Sequence, residues 1–513
     1  MIETATLWQL IEERANATPD DRMAVDAEGR EITFGGYRDA CLRVAGGLAG
    51  LGVGPGETVS WMLPTRIESM VLVGGLARLD AVQNPILPIY RTREVRFIAG
   101  QCKPALLVTP PEWRGFDYPN MAAKIAAEHE SMKTLVVDRS LPEAEGAALP
   151  PPPAQLEPAE LPVRWLFYTS GTTSHPKGAQ HTDATLWAAA KGMSIGLDIR
   201  ASDRVAFVFP FTHIGGINWL QAGLSYGCCH ILIENFAAGS TMPTLRKHGV
   251  TLGSAGTVFH EAYLKAHREC DDPPLFPAMR AFPGGGAPKP PQLHHDLVKE
   301  MGGVGIIAGY GMTEAPILTM AHVEDPTEKL AETEGRIALP EVDLRVVRSD
   351  EREAQPGEEG EFRIKAPQLF RGYLDSSLDE AAFDTNGYFR TGDLGHIDEE
   401  GYCVVTGRLK DVIIRKGENI PAKEVEDLLY QHPKVADVAV IGLPDPKTGE
   451  RCCAVVQCKD PGDPLEFETM QDFLRSKELM VQKIPEQLEL IDTIPRNPTG
   501  KILKHELRDR YSA

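Results

Sequence analysis

Short apolar runs alternate with amphipathic segments in the first part of this chain, and this alternation restricts the fold more than any other feature. The runs are TVSWML at 58–63, ALLVT at 105–109 and TLVVD at 134–138, with a helical pattern from Arg66 to Leu79 after the first of them. Strands that alternate with helices are typical of β/α units on a mostly parallel sheet. The sequence therefore predicts an α/β fold.

Changes in composition divide the rest of the chain. The run LPPPPAQLEPAELP at 149–162 cannot form a helix, because proline lacks a backbone donor and fixes φ, so it predicts an extended connection. A second β/α block follows it. From Gly335 to Gly407 short strands with acidic, glycine-containing turns predict a β-rich unit, and the last hundred residues carry an α+β pattern.

Charge and cysteine content exclude some classes of protein. Lys and Arg number 53 against 73 Asp and Glu, a net charge of −20, which argues against a nucleic-acid binder that relies on an overall positive field. The nine cysteines show no CxxC or Cys/His metal spacing, so we expect reduced thiols in a cytoplasmic protein. The N-terminus does not resemble a signal peptide, and apolar stretches such as 70–77 are far shorter than the ~18 residues of a membrane-spanning helix. We therefore expect no membrane insertion.

The segment YTSGTTSHPKG, from Tyr168 to Gly178, is the most informative for chemistry. Glycine lets the backbone approach a ligand closely, consecutive N–H groups and hydroxyls can donate to phosphate oxygens, and lysine adds a positive charge. The spacing GxxxxGK[ST] of the common P-loop is absent. The segment predicts a different polyphosphate site, formed by Thr169, Ser170, Gly171, Thr172, Thr173 and Lys177.

Seven motifs in one order make the chain resemble the adenylate-forming (ANL) superfamily, and within it the acyl-CoA synthetase and fatty-acid–CoA ligase branch. They are YTSGTTSHPKG, FPFTHIGGI, GGGAPKP, YGMTE, YFRTGDLG, GRLKDVIIRKGENI and IPRNPTGKI. One departure is Ser174, where the family usually has glycine. The resemblance implies a large N-terminal domain, 1–409, with subdomains of about 1–160, 161–330 and 331–409. It implies a small mobile α+β C-terminal domain at 410–513.

The resemblance also implies the roles of particular residues around the nucleotide. Tyr310 would stack on adenine, Asp393 and Arg408 would bind the ribose, and Lys501 would be the catalytic lysine. Thr313 would meet the α-phosphate as a second catalytic residue, and Glu314 would be catalytic through the Mg²⁺ ion it holds, since a hard cation prefers oxygen ligands. The remaining residues expected to border the nucleotide are Gly286, Ala287, Pro288, Gly311 and Met312.

Further positions follow from the same resemblance. Lys410 matches the hinge between the two domains, and Lys416 and Gly417 match positions beside the tunnel that receives the pantetheine arm of CoA. The acyl pocket would be formed by His213, Ile217, Trp219 and Gly309. Outside these motifs, the charged helical segment that holds His294 and His295 predicts that both side chains face solvent.

The implied activity is a two-step ligation. ATP and a hydrophobic carboxylic acid give an acyl-adenylate and pyrophosphate, and the thiol of CoA then displaces AMP, so that ATP, Mg²⁺ and CoA are required. An enzyme that loads a carrier protein, a luciferase-type oxygenase and a non-catalytic nucleotide-binding relative stay open as alternatives. Thr212 and His213 stand where amino-acid-activating relatives carry an aspartate, which disfavours amino acids. The segment NPILPIYR at 84–91 resembles ligases for fatty or alicyclic acids, while the individual acid and a homodimer are left open.

Overall fold

The computed structural model describes residues 1–169, 176–254, 256–287, 289–415, 418–497 and 500–512. The first region begins with a helix whose N-cap is Thr6 and contains all the short apolar runs noted above. Its elements are α1 (Leu7–Ala17), β1 (Arg22–Asp26), β2 (Glu31–Thr33), α2 (Phe34–Gly50), β3 (Thr58–Trp61), α3 (Ile67–Arg78), β4 (Val82–Pro85), α4 (Thr92–Cys102), β5 (Leu106–Thr109), β6 (Glu112–Trp113), β7 (Phe116–Asp117), α5 (Tyr118–Ala126) and β8 (Lys133–Val136).

The second region follows the proline-rich segment 149–162, which contains neither helix nor strand, as predicted. Its elements are β9 (Trp165–Thr169), β10 (Lys177–His181), α6 (Asp183–Leu197), β11 (Arg204–Phe207), α7 (Ile214–Tyr226), β12 (Cys229–Leu232), α8 (Ala238–Lys247), α9 (Thr257–Arg268), β13 (Phe282–Gly285), α10 (Pro291–Glu300), β14 (Ile306–Tyr310), β15 (Thr319–Met320), α11 (Thr327–Glu332) and β16 (Arg336–Ile337).

The third and fourth regions complete the chain. The third contains β17 (Asp343–Val347), β18 (Gly360–Lys365), α12 (Asp379–Ala382), β19 (Phe389–Ile397) and β20 (Cys403–Arg408), and a single 3₁₀ turn at Leu409–Asp411 follows it. The fourth contains β21 (Ile413–Arg415), β22 (Glu418–Ile420), α13 (Ala422–Leu429), β23 (Val435–Asp445), β24 (Gly449–Cys458), α14 (Phe467–Ser476), β25 (Gln487–Leu490) and α15 (Lys504–Tyr511).

A six-stranded sheet in the order β10-β9-β4-β3-β5-β8 joins four strands of the first region to β9 and β10 of the second, and all its pairings are parallel except that of β9 with β10. The strands β3 and β5 are almost completely buried, which explains their continuous apolar sequences. Helices α2 and α3 pack closely together beside it. A Cβ added at Gly74 would lie 2.2 Å from Cys41 Sγ, so only glycine permits this approach.

Two further sheets are joined edge to edge. One has the order β11-β12-β1-β2 and the other β13-β14-β15-β16. Leu252 forms one parallel β-bridge with Val205 of β11 and another with Ala281, the residue directly before β13. Strands β13 and β14 are paired in parallel, so their carboxyl ends meet at one edge of the sheet. In open α/β sheets, ligands bind outside such ends.

The last two sheets belong to the β-rich unit and to the end of the chain. Strands β17-β18-β19-β20 form an antiparallel sheet in the stretch 335–407, where the sequence predicts a β-rich unit. The C-terminal sheet has the order β22-β21-β24-β23 with β25 paired to β24, and its own apolar cluster lies between the sheet and the helices α13 and α14. The predicted fold class, a large α/β part with a small α+β C-terminal part, is confirmed. Among the described residues, none of the helices combines the length and the apolar character needed to cross a membrane.

Candidate active site

Asp393 lies at the centre of a cluster of polar side chains. It stands directly opposite Arg408 in the β19–β20 pair, beside a register shift between Leu394 and Gly395. Arg408 Nε lies 2.7 Å from Asp393 Oδ1, and the Tyr310 hydroxyl donates to Asp393 Oδ2 at 2.9 Å. The structure therefore brings together three residues that are far apart in the sequence and that the resemblance assigns to adenine and ribose.

Burial determines the electrostatics of this cluster. Asp393 is only 2% exposed, and burial raises the pKa of its carboxyl group, against the opposing effects of Arg408 and the Tyr310 hydroxyl. A carboxylate offers about four acceptor sites, so these two partners leave capacity for further donors such as a pair of hydroxyl groups. Tyr310 packs against Phe362 with ring centroids 5.5 Å apart.

Lys501 approaches the same cluster from the C-terminal part of the chain. It follows Gly500, whose φ of +85° favours glycine. Three hydrogen bonds with Asn497 close this turn, two of them made by Lys501 and one by the Gly500 N–H. Burial, and next the positive charges of Arg408 and Lys410, lower the pKa of the Lys501 ammonium to about 8, while Asp393 acts in the opposite direction. The cations and the carboxylate therefore share one electrostatic environment, which is suited to a polyanion.

The YGMTE motif forms a tight turn at the carboxyl end of β14. Met312 and Ala315 exchange two backbone hydrogen bonds of 3.1 Å, and Thr313 and Glu314 lie between them. A Cβ at Gly311 would lie 2.4 Å from the Ile317 nitrogen, so the turn requires glycine there. His181 Nε2 donates to the Thr313 carbonyl at 2.8 Å, and burial lowers the pKa of this imidazole to about 4, so it is neutral near pH 7.

Tyr373 connects two of the predicted residues. Its hydroxyl donates to Glu314 Oε1 at 2.8 Å, and Lys177 Nζ lies 5.1 Å from the centroid of its ring. Lys177 is also the direct cross-strand partner of Thr169 in the β9–β10 pair. The phosphate-binding lysine and the metal-binding carboxylate that the sequence predicts thus lie around one tyrosine.

Several predicted residues lie outside the described part of the chain. They include most of the predicted phosphate loop and both predicted CoA contacts: Ser170, Gly171, Thr172, Thr173, Pro288, Lys416 and Gly417. Ser174, the departure from the family pattern, also lies there. Gly286 and Ala287 are described, and Gly286 has a φ of +78° just after β13.

A cavity of about 20 Å³, enough for one water molecule, lies where β13 and β14 end. Gly285 and Gly309 are direct partners in this strand pair, and Gly309 lines the cavity. A Cβ at Gly309 would lie 2.9 Å from the Thr319 carbonyl oxygen, a backbone atom, so glycine is favoured at this position. The rest of the lining is mixed, with apolar Ile306 and Ala308 beside polar His260, Lys289 and Glu334.

The other three residues predicted for the acyl pocket belong to α7 or its cap. His213 caps the helix, since its Nδ1 accepts from the Gly215 N–H at 3.1 Å, and burial lowers the pKa of its imidazole to about 4. Ile217 and Trp219 are buried in the apolar core of the large part of the molecule. The cavity beside Gly309 is lined by none of these three.

Lys410 lies in the 3₁₀ turn between the β-rich unit and the C-terminal part. Burial, and next the charge of Arg408, lower the pKa of its ammonium group. Its neighbour Asp411 forms an ion pair of 2.7 Å with Arg508 of α15, which attaches this turn to the last helix of the chain. Within the described residues, no group of three or more His, Cys, Asp or Glu side chains is arranged to hold a metal ion.

The structure corrects one expectation and adds residues that sequence reasoning missed. His294 is completely buried and its Nδ1 accepts from the Ile306 N–H at 3.0 Å, so the prediction that it faces solvent is wrong, although His295 is exposed. His181 and Tyr373 were missed because no motif marks them. Lys289 was missed because a lysine in a glycine-rich loop predicts exposure, whereas it is buried and donates to the Ala331 and Thr333 carbonyls at 3.0 and 2.9 Å.

Comparison with known proteins supplies matches over almost the whole chain. Residues 11–374 match the profile of the AMP-binding enzyme family, and residues 424–501 match that of the AMP-binding enzyme C-terminal domain. The chain is 28% identical to a medium-chain fatty-acid–CoA ligase of Escherichia coli (strain K12), with coverage of 98% of this chain and 89% of the relative. It is 30% identical to a salicyl-AMP ligase / salicyl-S-ArCP synthetase of Mycobacterium tuberculosis (strain H37Rv), with coverage of 98% and 90%.

The fold is similar to that of solved structures. One is O-succinylbenzoate coenzyme A synthetase from Bacillus subtilis in complex with ATP and a magnesium ion. The TM-score is 0.84 at 28% sequence identity, over 98% of this chain and 99% of that one.

Proposed function

The chain belongs to the AMP-binding enzyme family, part of the adenylate-forming superfamily, and we propose that it converts a hydrophobic carboxylic acid into its CoA thioester. It is an AMP-forming acid–thiol ligase that uses ATP, Mg²⁺ and CoA. The observation that carries the proposal is the convergence of Tyr310, Asp393, Arg408 and Lys501. These residues come from a parallel strand end, an antiparallel sheet and a C-terminal turn, and they form one charged cluster.

We assign the nucleotide to this cluster. Asp393 and Arg408 bind the ribose hydroxyls, because a buried carboxylate with remaining acceptor sites suits two adjacent donors. Tyr310 stacks on adenine, and the backbone of Gly286 and Ala287 borders the base from the neighbouring strand end. Thr313 binds the α-phosphate, and Thr169 and Lys177 bind the phosphates beyond it.

In the first half-reaction, a carboxylate oxygen of the acid bonds to the α-phosphorus, and the bond from that phosphorus to pyrophosphate breaks. Negative charge increases on the equatorial and departing oxygens during this in-line exchange. Lys501 stabilises that charge through its ammonium group, which is already held near Arg408 and Lys410 and therefore needs little reorganisation. The products are acyl-AMP and pyrophosphate.

The residues present fit a Mg²⁺ ion that is bound mainly by the nucleotide. Mg²⁺ commonly binds proteins through one or two carboxylates and keeps its other contacts with phosphates and water. Glu314 provides one such carboxylate, oriented by the Tyr373 hydroxyl and close to Lys177. When bound, the ion would neutralise part of the negative charge of the phosphates.

In the second half-reaction, the thiol of CoA loses its proton to solvent water and the resulting thiolate sulfur bonds to the acyl carbon, while AMP leaves with the bonding electron pair. This step needs a different arrangement around the acyl group, because Lys501 and the incoming thiol approach the same site. We propose that the C-terminal part rotates about Lys410 between the two steps. The predicted CoA contacts at Lys416 and Gly417 then replace Lys501.

The class of the acid substrate is proposed from the residues that line the cavity and from the acids in the relatives' names. Ile306 and Ala308 form apolar walls beside Gly309, and the relatives named above act, by their names, on fatty and aromatic acids. The cavity of about 20 Å³ has room for only about one water molecule, so a larger acid requires the neighbouring side chains to move. We place the reaction in the cytoplasm, since all nine cysteines are free thiols, as a reducing compartment maintains them.

The test is acid-dependent release of pyrophosphate with a panel of octanoate, benzoate, cyclohexanecarboxylate, malonate and phenylalanine, with and without CoA. Mass spectrometry identifies AMP and any thioester. We expect thioester from one of the apolar acids only when CoA is present. Pyrophosphate release without thioester would favour an acyl-AMP ligase that loads a carrier protein, and thioester from malonate alone would contradict the proposed hydrophobic acid.

A further inference from the structure

Arg496 connects the turn that carries Lys501 to the C-terminal sheet. Its Nη1 donates to the Gly500 carbonyl at 2.6 Å, directly before Lys501. Its Nη2 lies 2.8 Å from both carboxylate oxygens of Asp437, which is part of β23. One guanidinium group therefore holds the backbone of the turn and is itself held by a strand.

We propose that Arg496 and Asp437 are positioning residues that hold Lys501 in place for adenylate formation. The inference rests on the proposed function, in which Lys501 acts only in the first half-reaction. Neither residue needs to touch ATP or the acid. Both act through the peptide group that immediately precedes the catalytic lysine.

The contacts of Asp437 explain why a strand residue can fix a turn. Its carboxylate also accepts from the Tyr430 hydroxyl and, at 2.9 Å, from the Val438 N–H. The guanidinium of Arg496 is planar and presents its donors in a fixed fork, so it can bind a carboxylate and a carbonyl at the same time. Lysine has a compact ammonium and cannot reproduce this geometry. Arg496→Lys should therefore keep the positive charge at this position but no longer hold the Gly500 carbonyl and Asp437 together.

The same turn also contacts the large part of the molecule, at the first turns of α9. A Cβ added at Gly500 would lie 3.0 Å from Val258 Cγ2, so the turn rests against this helix. Glu261 is one turn further along α9, and burial followed by the negative charge of Asp437 raises the pKa of its carboxyl group to about 7, while Arg496 opposes the rise. The charges of Arg496 and Asp437 therefore both act on Glu261, across the contact between the turn and α9.

A purely structural ion pair would stabilise the C-terminal part and affect both half-reactions alike, whereas a positioning pair affects only the step that uses Lys501. We would measure both half-reactions with the panel acid that gives the fastest pyrophosphate release. In Arg496→Lys and Asp437→Asn we expect adenylate formation to fall about a hundredfold, as small displacements of catalytic groups do. Thioester formation from preformed acyl-AMP and CoA should stay within about threefold of wild type.

The matched control is Arg475→Lys, because Arg475 forms an exposed ion pair of 2.8 Å with Asp472 on α14 of the same C-terminal part. It should change neither rate. Equal loss in both half-reactions, or unchanged adenylate formation in Arg496→Lys, would overturn the positioning role.

A second readout does not depend on finding the acid. Chemical labelling of Lys501 with acetic anhydride over a range of pH, followed by mass spectrometry, gives the pKa of its ammonium group in each variant. We expect a midpoint near 8 in wild type and a rise toward 10.5 in Arg496→Lys, because a displaced turn exposes the ammonium. An unchanged midpoint would overturn the inference. A wild-type enzyme with this midpoint but no activity on any acid would contradict the proposed function alone.

Discussion

Arg408 Nε lies 2.7 Å from Asp393 Oδ1, and the two residues are direct partners across an antiparallel strand pair. The ion pair is buried on the carboxylate side and half-buried on the arginine side, with side-chain exposures of 3% and 32%. Its geometry is therefore determined by the sheet, and the other carboxylate oxygen of Asp393 accepts from the Tyr310 hydroxyl at 2.9 Å.

Asp393→Asn should weaken nucleotide binding. The amide keeps the shape of the carboxylate but loses its charge, and charge-assisted hydrogen bonds are roughly twice as strong as neutral ones. We expect the affinity for AMP, measured by isothermal titration calorimetry, to fall about ten- to a hundredfold, which is about 1.4–2.8 kcal/mol. Asp350→Asn is the control, since Asp350 forms its ion pair with exposed Arg352 in the same β-rich unit. Equal affinities for AMP in wild type and Asp393→Asn would show that the Asp393 carboxylate does not bind the ribose.

Lys501→Ala should separate the two half-reactions. Loss of the ammonium group removes charge stabilisation from adenylate formation, where such groups typically contribute a factor of about 10²–10³. Thioester formation from preformed acyl-AMP and CoA should change little. The exposed Lys459, in the same C-terminal part, provides the control variant Lys459→Ala. A comparable loss of both rates would show that Lys501 supports the fold or both steps.

Adenylate formation should decline as the pH rises above about 8. The pKa of the Lys501 ammonium is lowered to about 8, and only the protonated form carries the positive charge that the step uses. The quantity to measure is kcat/KM for adenylation against pH, which reports ionisations of the free enzyme. In Lys410→Gln the declining limb should move to higher pH, because one of the positive charges that lower the pKa of Lys501 is removed. If the declining limb of the pH profile is unchanged in Lys410→Gln, the charge of Lys410 does not lower the pKa of Lys501.

Tyr373→Phe should weaken the response to Mg²⁺. The substitution removes the hydroxyl that donates to Glu314 Oε1 at 2.8 Å and leaves the ring beside Lys177. A single hydrogen bond to a charged group contributes about 1.5–3 kcal/mol, so we expect the Mg²⁺ concentration at half-maximal adenylation to rise roughly ten- to a hundredfold. Tyr388→Phe is the control, because the Tyr388 hydroxyl donates to Asp343 of β17 and not to Glu314. Equal Mg²⁺ midpoints for both variants would show that the hydrogen bond from Tyr373 to Glu314 does not support metal binding.

His181 should make the protein less stable in acid. Burial lowers the pKa of its imidazole to about 4 in the folded state, while the unfolded chain has the ordinary value near 6.5. Between these values the unfolded state binds the additional proton, so the free energy of unfolding falls as the pH decreases from about 6.5 to 4. Melting temperatures of His181→Gln should depend less steeply on pH in this range. His505→Gln, at an exposed position of α15, should keep the wild-type slope, and identical slopes in all three proteins would refute this origin of acid sensitivity.

The motifs predicted many of the candidate site residues because each motif meets a backbone requirement within a short stretch of chain. Gly311 permits a turn in which backbone groups come within van der Waals distance, and Gly500 has the positive φ that the Lys501 turn requires. Such requirements involve neighbouring residues, so they leave a pattern of fixed spacing in the sequence. Tyr373 and His181 contact Glu314 and Thr313 of one motif, and Asp437 contacts Arg496 of another. These partners are separated by sequence distances that follow no fixed spacing, so no local pattern could have revealed them.

The resemblance of the motifs to one family implied which residues would carry charge and hydroxyl groups to the nucleotide. The sequence by itself determined the α/β class and the position of the β-rich unit. Periodicity and turn chemistry suffice for these because they depend on residues close together in the chain. Only the tertiary structure decided that Asp393 is buried between Tyr310 and Arg408, that His294 lies inside, and that Arg496 and Lys289 hold backbone carbonyls instead of facing water. These outcomes depend on which surfaces the sheets and helices cover when they pack, and burial then determines the pKa values and hydrogen bonds of the site.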